Sequence, residues 1–153
     1  MKTARDLMQT HVVTVAPHDP LHVVQRLFTQ EGIHGAPVVD DEDRVLGVIT
    51  STDILRAATE ARDVAPTEPA VFREDLDLSR FAWSLAPEDL KERLQDAVVE
   101  DFMTEGVVQL GPSAPVAAVA KALRENQVHR VLVTENGRLR GVISAFDLVA
   151  LLE

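Results

Sequence analysis

The sequence predicts an α+β protein in which two tandem β-α-β-β-α repeats pack through their sheets with pseudo-twofold symmetry. The first observation is an internal repeat, because a shift of 95 positions aligns identical residues, among them Asp6 with Asp101 and His34 with His129. After a deletion of one residue, a shift of 94 aligns Gly47 with Gly141 and Asp53 with Asp147. The second is that each copy alternates β-branched runs with apolar residues at helical spacing. The third is a composition of 46% hydrophobic and 26% charged residues, which is typical of a globular protein. We assign 1–58 to the first repeat, 59–99 to a partly helical insert and 100–153 to the second repeat.

The first copy opens with a β-branched run at 11–15, which predicts a strand. Asp19 is a candidate N-cap and Pro20 a candidate first residue of the next helix, whose apolar face continues at helical spacing up to Gly32. An acidic turn then joins two strands, and a last helix begins at Asp53. The predicted bounds are 36–40 and 45–50 for these strands and 53–58 for the helix.

The second copy repeats this order of elements. A strand at 106–110 precedes a helix opened by Ser113 and Pro115, and Asn136-Gly137 is a strong hairpin signal because both residues tolerate positive φ. The hairpin strands are predicted at 131–134 and 139–144, and the last helix at 147–152. Because a unit of about fifty residues buries too little surface to be stable alone, we expect the two copies to pack together.

The insert is acidic and carries half of the aromatic residues. Residues 59–100 hold 11 of the 25 acidic and 5 of the 15 basic side chains, together with Phe72, Phe81 and Trp83. Large rings of this kind are rare in a purely flexible linker, so part of the insert should fold. A helix start near Pro87 is followed by an apolar stripe. Its members are Leu90, Leu94, Ala97 and Val98.

Charge and composition exclude several classes of function. The net charge of −10 repels a phosphate backbone, and the sequence contains no basic patch, so we expect no nucleic-acid partner. The lack of cysteine excludes disulfides and thiolate metal sites and suits the cytoplasm. No apolar stretch approaches the roughly 20 residues that span a bilayer, so we expect no membrane partner.

Motifs for catalysis or metal binding are also lacking. The sequence contains no Gly-x-Ser-x-Gly elbow, no phosphate-cradling glycine loop and no cysteine nucleophile, so we expect no enzyme and no required cofactor. His18 and His22 have the spacing of a zinc helix. Pro20 favours the first turn, however, and leaves His18 outside the helix, so we predict no metal site.

Both copies carry a longer motif that resembles a known family. Residues 47–53 read Gly-Val-Ile-Thr-Ser-Thr-Asp and residues 141–147 read Gly-Val-Ile-Ser-Ala-Phe-Asp, and each motif follows a predicted hairpin. These strings resemble the signature of the cystathionine β-synthase (CBS) domain, which occurs as tandem pairs called Bateman modules. The resemblance covers the chain outside 59–99. It implies that adenosine-containing ligands such as AMP, ADP, ATP or S-adenosylmethionine bind in clefts between the repeats.

The resemblance also implies which residues line each cleft. In related modules a cleft takes its adenine end from one repeat and its ribose end from the other. The Asp53 cleft would comprise Thr104, Val108, Val128, His129 and Arg130 with Thr50 and Asp53. The Asp147 cleft would comprise Val13, Ile33 and His34 with Ser144 and Asp147. We expect the Asp53 cleft to be the better phosphate site, because the family's His-Arg pair stands as His129-Arg130 but reads His34-Gly35 in the first copy.

The residues themselves agree with this chemistry but allow simpler roles. An ionised aspartate accepts hydrogen bonds only, which suits a ribose diol, and Thr50 or Ser144 precedes a helix N-terminus. Asp53 and Asp147 could equally serve as helix caps. His34 could be a hydrogen-bonded histidine beside the sheet, and Arg130 a surface charge.

Taken together, the sequence predicts a regulatory module, a homodimer, that binds an adenosyl ligand and signals in trans to an effector protein. The sequence leaves open which adenosyl ligand binds. The alternative is a protein-interaction or dimerisation adaptor with vestigial clefts, in which the 59–99 insert is the partner surface. A ligand regulates only if it binds one conformation better than another, so affinity alone would not establish the first hypothesis.

Overall fold

The computed structural model describes residues 1–59 and 94–153. Each repeat contributes a short N-terminal helix, a longer amphipathic helix, a β-hairpin and a C-terminal helix. In the first repeat these are α1 (Ala4–Leu7), α2 (Leu21–Glu31), β1 (Gly35–Val39), β2 (Val45–Thr50) and α3 (Ser51–Thr59). In the second they are α4 (Val99–Phe102), β3 (Gln109–Leu110), α5 (Val116–Glu125), β4 (Arg130–Glu135), β5 (Arg138–Ser144) and α6 (Ala145–Val149), followed by a 3₁₀ turn at Ala150–Leu152.

The two hairpins confirm the predicted α+β architecture. β1 pairs antiparallel with β2, and β4 pairs antiparallel with β5, in each case with one register irregularity. Asn136 and Gly137 both have positive φ, as the hairpin signal predicts. Each hairpin packs one face against its own helices, with Ile49 and Ile143 fully buried in the two separate cores.

The leading strand of each repeat is shorter than predicted. In the first repeat only Val15 pairs, in parallel with Val38. In the second repeat the Leu132 N–H donates to the Val108 carbonyl at 3.1 Å. The aligned residue in the first repeat is Pro37, which has no N–H, so the ladder cannot extend back to Val13.

The predicted start of the second helix is also corrected. Pro20 is the N-cap of α2 and Leu21 its first residue. The Asp19 carboxylate caps no helical N–H, because it accepts the Ala16 N–H at 2.9 Å in the preceding turn. At the other end Gly32 stops the helix with φ of 65°, as expected of a left-handed C-cap.

The short helices α1 and α4, which the sequence did not predict, each pack on the opposite repeat. Ala4 is fully buried in the core of the second repeat, and its N–H donates to the Ala114 carbonyl at 2.8 Å. In the aligned contact the Val99 N–H donates to the Asp19 carbonyl at 3.0 Å, and Val99 is fully buried in the core of the first repeat. The N-terminal segment of each repeat therefore completes the core of the other.

The two sheets pack face to face, as predicted, through a small apolar cluster built on Val48 and Leu132. Backbone pairs extend this contact with pseudo-twofold symmetry. Val48 exchanges two hydrogen bonds of 2.9 Å with Thr104, and Val142 exchanges bonds of 3.0 and 2.8 Å with Gln9. Each hairpin is thus bonded to the segment that follows the short N-terminal helix of the other repeat. We call these two segments, which contain Gln9 and Thr104, the crossing segments.

Only the end of the predicted insert lies among the described residues. Leu94 and Ala97 are 3% and 6% exposed and belong to the core of the first repeat, in agreement with the predicted apolar stripe. Phe72, Phe81, Trp83 and Leu90 lie outside the described residues.

Replacing Gly47 or Gly141 by alanine should separate the hairpins from the crossing segments. A Cβ on Gly47 would lie 2.6 Å from the Thr104 carbonyl oxygen, and one on Gly141 would lie 2.7 Å from the Gln9 carbonyl oxygen. We expect each substitution to lower the free energy of unfolding by about 1–3 kcal/mol, as in other overpacked sites. Urea unfolding is the measurement. Gly111→Ala is the control, because nothing lies within 4 Å of its Cβ position; equal losses in all three variants would contradict the argument.

Candidate functional site

A cavity of about 450 Å³ opens between the two repeats. Its volume is within the range of roughly 300–1,000 Å³ that small-molecule sites occupy. Residues of the first repeat form most of the wall, and the second repeat contributes from its hairpin. The lining residues are His11, Val12, Val13, Gly32, Ile33, His34, Gly35, Pro37, Arg130 and Val142.

This cavity brings together the adenine-end residues predicted for the Asp147 cleft. Val13, Ile33 and His34 all line it, and Val13 and Ile33 are partly buried. The Val13 carbonyl lacks the strand partner that its counterpart Val108 has, because Pro37 carries no N–H. One wall of the cavity therefore combines apolar side chains with a backbone acceptor.

Arg130 lines the same cavity, whereas the resemblance groups it with Asp53. The strand register explains the placement. Arg130 lies opposite Ser144 in the β4–β5 pair, so the two side chains share a face of the sheet. Val142, also in the cavity wall, lies two residues from Ser144 and on that face. The cation on which the expected phosphate site at Asp53 depends therefore lies in the wall of this cavity.

Two histidines join Arg130 in the cavity wall. His11 is exposed, whereas the Nδ1 atom of His34 is buried and has no hydrogen-bond partner within residues 1–59 and 94–153. A buried polar atom without a partner is costly, and a bound ligand could satisfy it. The cavity wall therefore contains a guanidinium and a buried imidazole nitrogen, both of which can contact a ligand.

Ser144 and Asp147 form a capped helix start beside this face. Asp147 Oδ2 accepts the Ser144 N–H at 2.8 Å and the Ser144 hydroxyl at 3.2 Å, and the Asp147 N–H donates back to that hydroxyl at 3.3 Å. The other carboxylate oxygen, Oδ1, accepts from the Gln9 amide at 3.2 Å. Asp147 is half-buried, so its carboxylate remains within reach of a ligand.

Asp53 makes the same cap in a different environment. Its Oδ2 accepts the Thr50 N–H at 2.9 Å and the Thr50 hydroxyl at 3.0 Å, while Oδ1 accepts from Arg56 at 3.1 Å. Asp53 is only 5% exposed. Burial raises the pKa of this carboxyl, although hydrogen bonds from Thr50 and the positive charge of Arg56 oppose the effect.

The remaining residues predicted for the Asp53 cleft have mainly structural contacts. The backbone of Thr104 pairs with Val48, and the Val108 carbonyl accepts from Leu132. Val128 is 7% exposed and lies in the core of the second repeat. The His129 side chain is exposed, and its carbonyl accepts the Ala145 N–H at 2.9 Å.

The sequence did not single out His11, Val12, Pro37 and Val142 as cavity residues, nor Gln9 as a contact of Asp147. His11 and Val12 carry no motif of their own and reach the cavity only through their position before Val13. A signal for Gln9 existed, because it stands where the second copy has Thr104. A long amide at that position can reach a side chain that threonine cannot.

The chain belongs to the CBS domain family, whose model matches residues 4–60 and 99–153. A relative, protein MJ1426 of Methanocaldococcus jannaschii, is 29% identical over 150 residues, which cover 95% of this chain and 88% of that protein. Inosine-5'-monophosphate dehydrogenase of Halobacterium salinarum is 41% identical over 154 residues. That match covers 96% of this chain but 29% of the dehydrogenase, so the similarity concerns only a part of that enzyme.

Solved structures of CBS proteins have the same fold. The CBS domain of a membrane protein from Sphaerobacter thermophilus has a TM-score of 0.72 and 28% identity, covering 99% of this chain and 88% of that one. CBSX2, solved in complex with AMP, has a TM-score of 0.69 and 21% identity over 98% and 95% of the two chains. The CBS pair of protein MJ0100, solved with 5'-methylthioadenosine and S-adenosyl-L-methionine, has a TM-score of 0.67 and 18% identity over 99% and 96%.

In residues 1–59 and 94–153, the structure contains no helix of the length and apolar character needed to cross a bilayer.

The burial of Asp53 should appear in the pH dependence of stability. Because the folded-state pKa is raised above the ordinary value of 3.8, the folded protein holds this proton more tightly than the unfolded chain does. The resulting stabilisation is complete below pH 3.8 and is lost as the pH rises through the folded-state pKa. Relative to Asp53→Asn, the free energy of unfolding of the wild type should therefore decrease as the pH rises. Urea unfolding of both proteins at several pH values measures the free energy of unfolding of the wild type minus that of Asp53→Asn. A value that increases with pH would contradict the prediction.

Proposed function

We propose that this chain is a non-catalytic regulatory module that binds an adenosine-containing ligand in the Asp147 cleft. AMP, ADP, ATP and S-adenosylmethionine are the candidate ligands. The observation that carries the proposal is the cavity between the repeats, which is lined by Val13, His34 and Arg130. Arg130 pairs with Ser144, which is bonded to Asp147, so the cavity wall and the capped helix start belong to the same end of the second hairpin. The complexes of CBSX2 with AMP and of MJ0100 with S-adenosyl-L-methionine support this class of ligand.

Adenine suits the apolar wall of the cavity. Val13 and Ile33 offer side chains for the flat faces of a base. The Val13 carbonyl accepts no backbone hydrogen bond within residues 1–59 and 94–153, so it is an available acceptor. The 6-amino group of adenine donates hydrogen bonds, whereas the corresponding oxygen of guanine only accepts them. We therefore expect adenine ligands to bind better than guanine ligands.

Ribose and phosphate suit the opposite side. The carboxylate of Asp147 can accept a ribose hydroxyl, and the guanidinium of Arg130 can donate to phosphate oxygens. Because Arg130 and Ser144 share one face of the sheet, a nucleotide could contact both with its ribose and phosphate. Binding would then join groups of both repeats, which could change the shape or association of the module and signal in trans to an effector protein.

Titration calorimetry with AMP, adenosine and GMP tests this proposal. Wild-type protein should bind AMP more tightly than GMP. Arg130→Gln should weaken AMP binding by about tenfold to a hundredfold, the usual effect of losing a hydrogen bond to a charged group, and change adenosine binding little. Asp147→Asn should weaken both AMP and adenosine, because both contain the ribose.

Arg140→Gln is the matched control for Arg130→Gln. Arg140 lies on β5, is exposed and forms a long ion pair of 3.7 Å with Glu135. AMP binding that weakens equally in both arginine variants would reveal a general charge effect and contradict the assigned role of Arg130. A wild-type protein that binds none of AMP, ADP, ATP and S-adenosylmethionine would overturn the proposed function.

We also propose that the module is a homodimer. Phe146, Val149 and Leu152 follow one another at helical spacing at the C-terminal end and are 83%, 54% and 86% exposed. In the first repeat, two of the aligned positions, Leu55 and Ala58, pack in the core that includes Leu94 and Ala97. The corresponding face of the first repeat is therefore buried within the chain, whereas the apolar stripe of the second repeat is exposed. A second copy of the chain can cover this stripe.

Replacing Phe146 and Leu152 by serine should therefore shift the protein from dimer to monomer in analytical ultracentrifugation. Val23→Ser is the control, because Val23 is a 43% exposed apolar residue on α2, outside the stripe. A dimer that persists in the double variant, or that dissociates with Val23→Ser instead, would place the interface elsewhere.

A further inference from the structure

The carboxylates of Asp53 and Asp147 make the same hydrogen bonds through one oxygen atom but have different partners at the other. In both residues Oδ2 accepts the backbone N–H and the hydroxyl of the residue three positions earlier, Thr50 or Ser144. These bonds cap the following helix and use the acceptor capacity of Oδ2. Oδ1 is therefore the oxygen that can accept a ribose hydroxyl, and its present partner determines how readily a ligand can use it.

In the Asp53 cleft the partner of Oδ1 is an arginine. Arg56 Nη2 donates to Asp53 Oδ1 at 3.1 Å and to the Phe102 carbonyl at 3.0 Å. The side chains are 21% exposed for Arg56 and 7% exposed for Asp53. An ion pair that is shielded from water and carries additional hydrogen bonds is strongly unfavourable to break, because one charge is then left without its partner.

In the Asp147 cleft the partner of Oδ1 is neutral. Gln9 Nε2 donates to it at 3.2 Å, and Gln9 is an exposed residue. The position equivalent to Arg56 is Ala150, which has no donor in its side chain. A long amide hydrogen bond at an exposed residue exchanges with a ligand hydroxyl at little cost.

We propose that Arg56 closes the Asp53 cleft to nucleosides, so that each chain binds one adenosyl ligand, at Asp147. This inference rests on the proposed function and adds the stoichiometry and the residue that sets it. A ribose hydroxyl is a neutral donor, whereas Arg56 is a charged donor that also holds the end of the crossing helix α4 through the Phe102 carbonyl. A ribose hydroxyl at Asp53 Oδ1 would compete with this charged donor at a side chain that is only 7% exposed. Moving Arg56 aside to admit the ribose would leave the guanidinium without its carboxylate partner.

Titration calorimetry with AMP tests the stoichiometry. The wild type should bind one AMP per chain. Arg56→Ala reproduces the alanine found at position 150 and should raise the stoichiometry to two. A folded Arg56→Ala protein that still binds one AMP would overturn the role of Arg56, and so would a wild type that binds two.

The converse variant tests the inference on the other cleft and does not depend on the stability of Arg56→Ala. Ala150 is exposed, so Ala150→Arg should fold, and its guanidinium would lie at the i,i+3 position from Asp147. We expect it to weaken AMP binding about tenfold or more relative to Ala150→Gln, a control of similar length without charge. Equal affinities in these two variants would overturn the inference.

The outcomes also separate this inference from the proposed function. Absence of AMP binding in the wild type and in every variant, together with no binding of ADP, ATP or S-adenosylmethionine, overturns the proposed function and the inference with it. A different set of results overturns the inference alone. In that case the wild type binds AMP, folded Arg56→Ala binds with the same stoichiometry, and Ala150→Arg and Ala150→Gln bind with equal affinity.

Discussion

The reciprocal exchange of N-terminal segments is the constraint on which the rest of the structure depends. Helix α1 completes the core of the second repeat, and α4 completes the core of the first, so that Ala4 and Val99 are both fully buried. Neither repeat can keep its core closed without the other, since each small unit borrows part of its apolar interior. The cavity between the repeats exists because this exchange fixes how the two sheets face each other.

The same exchange sets a strict requirement on two glycines. The crossing segments bond to β2 and β5 through Thr104 and Gln9, and these carbonyls approach so closely that a Cβ on Gly47 or Gly141 would overlap them. The glycine that begins each family signature therefore serves the contact between repeats, and the aspartate that ends it caps the following helix. One short motif thus contains a packing residue and a capping carboxylate, and in the second repeat that carboxylate is the ligand contact that we propose.

Periodicity and turn chemistry predicted the hairpins and the long helices, because these elements are determined by local spacing and by residues such as Asn136 and Gly137. The four-residue helices α1 and α4 could not be predicted in this way, since they are too short for a period and are held by contacts with the other repeat. The placement of Arg130 depends on similar long-range information. The resemblance groups it with His129 and Asp53, whereas its register with Ser144 determines which face of the sheet it lies on.

Pseudo-twofold symmetry relates the backbones of the repeats but not the chemistry of their clefts. Gln9 shows why this difference can matter for signalling, because it belongs to both structures at once. Its backbone pairs with Val142 and holds the crossing segment, while its amide contacts Oδ1 of Asp147. A ligand hydroxyl that takes this oxygen displaces the amide of a residue anchored in the contact between repeats. Such a displacement would favour one arrangement of the repeats over another, which is the differential interaction that regulation requires.

At the aligned position the second copy has Thr104, which pairs with Val48 through its backbone only, and Asp53 bonds to Arg56 instead. Under the proposed function, a ligand in the Asp147 cleft would therefore contact a residue that also joins the two repeats, whereas in the Asp53 cleft the side chain of Thr104 makes no contact of this kind within residues 1–59 and 94–153.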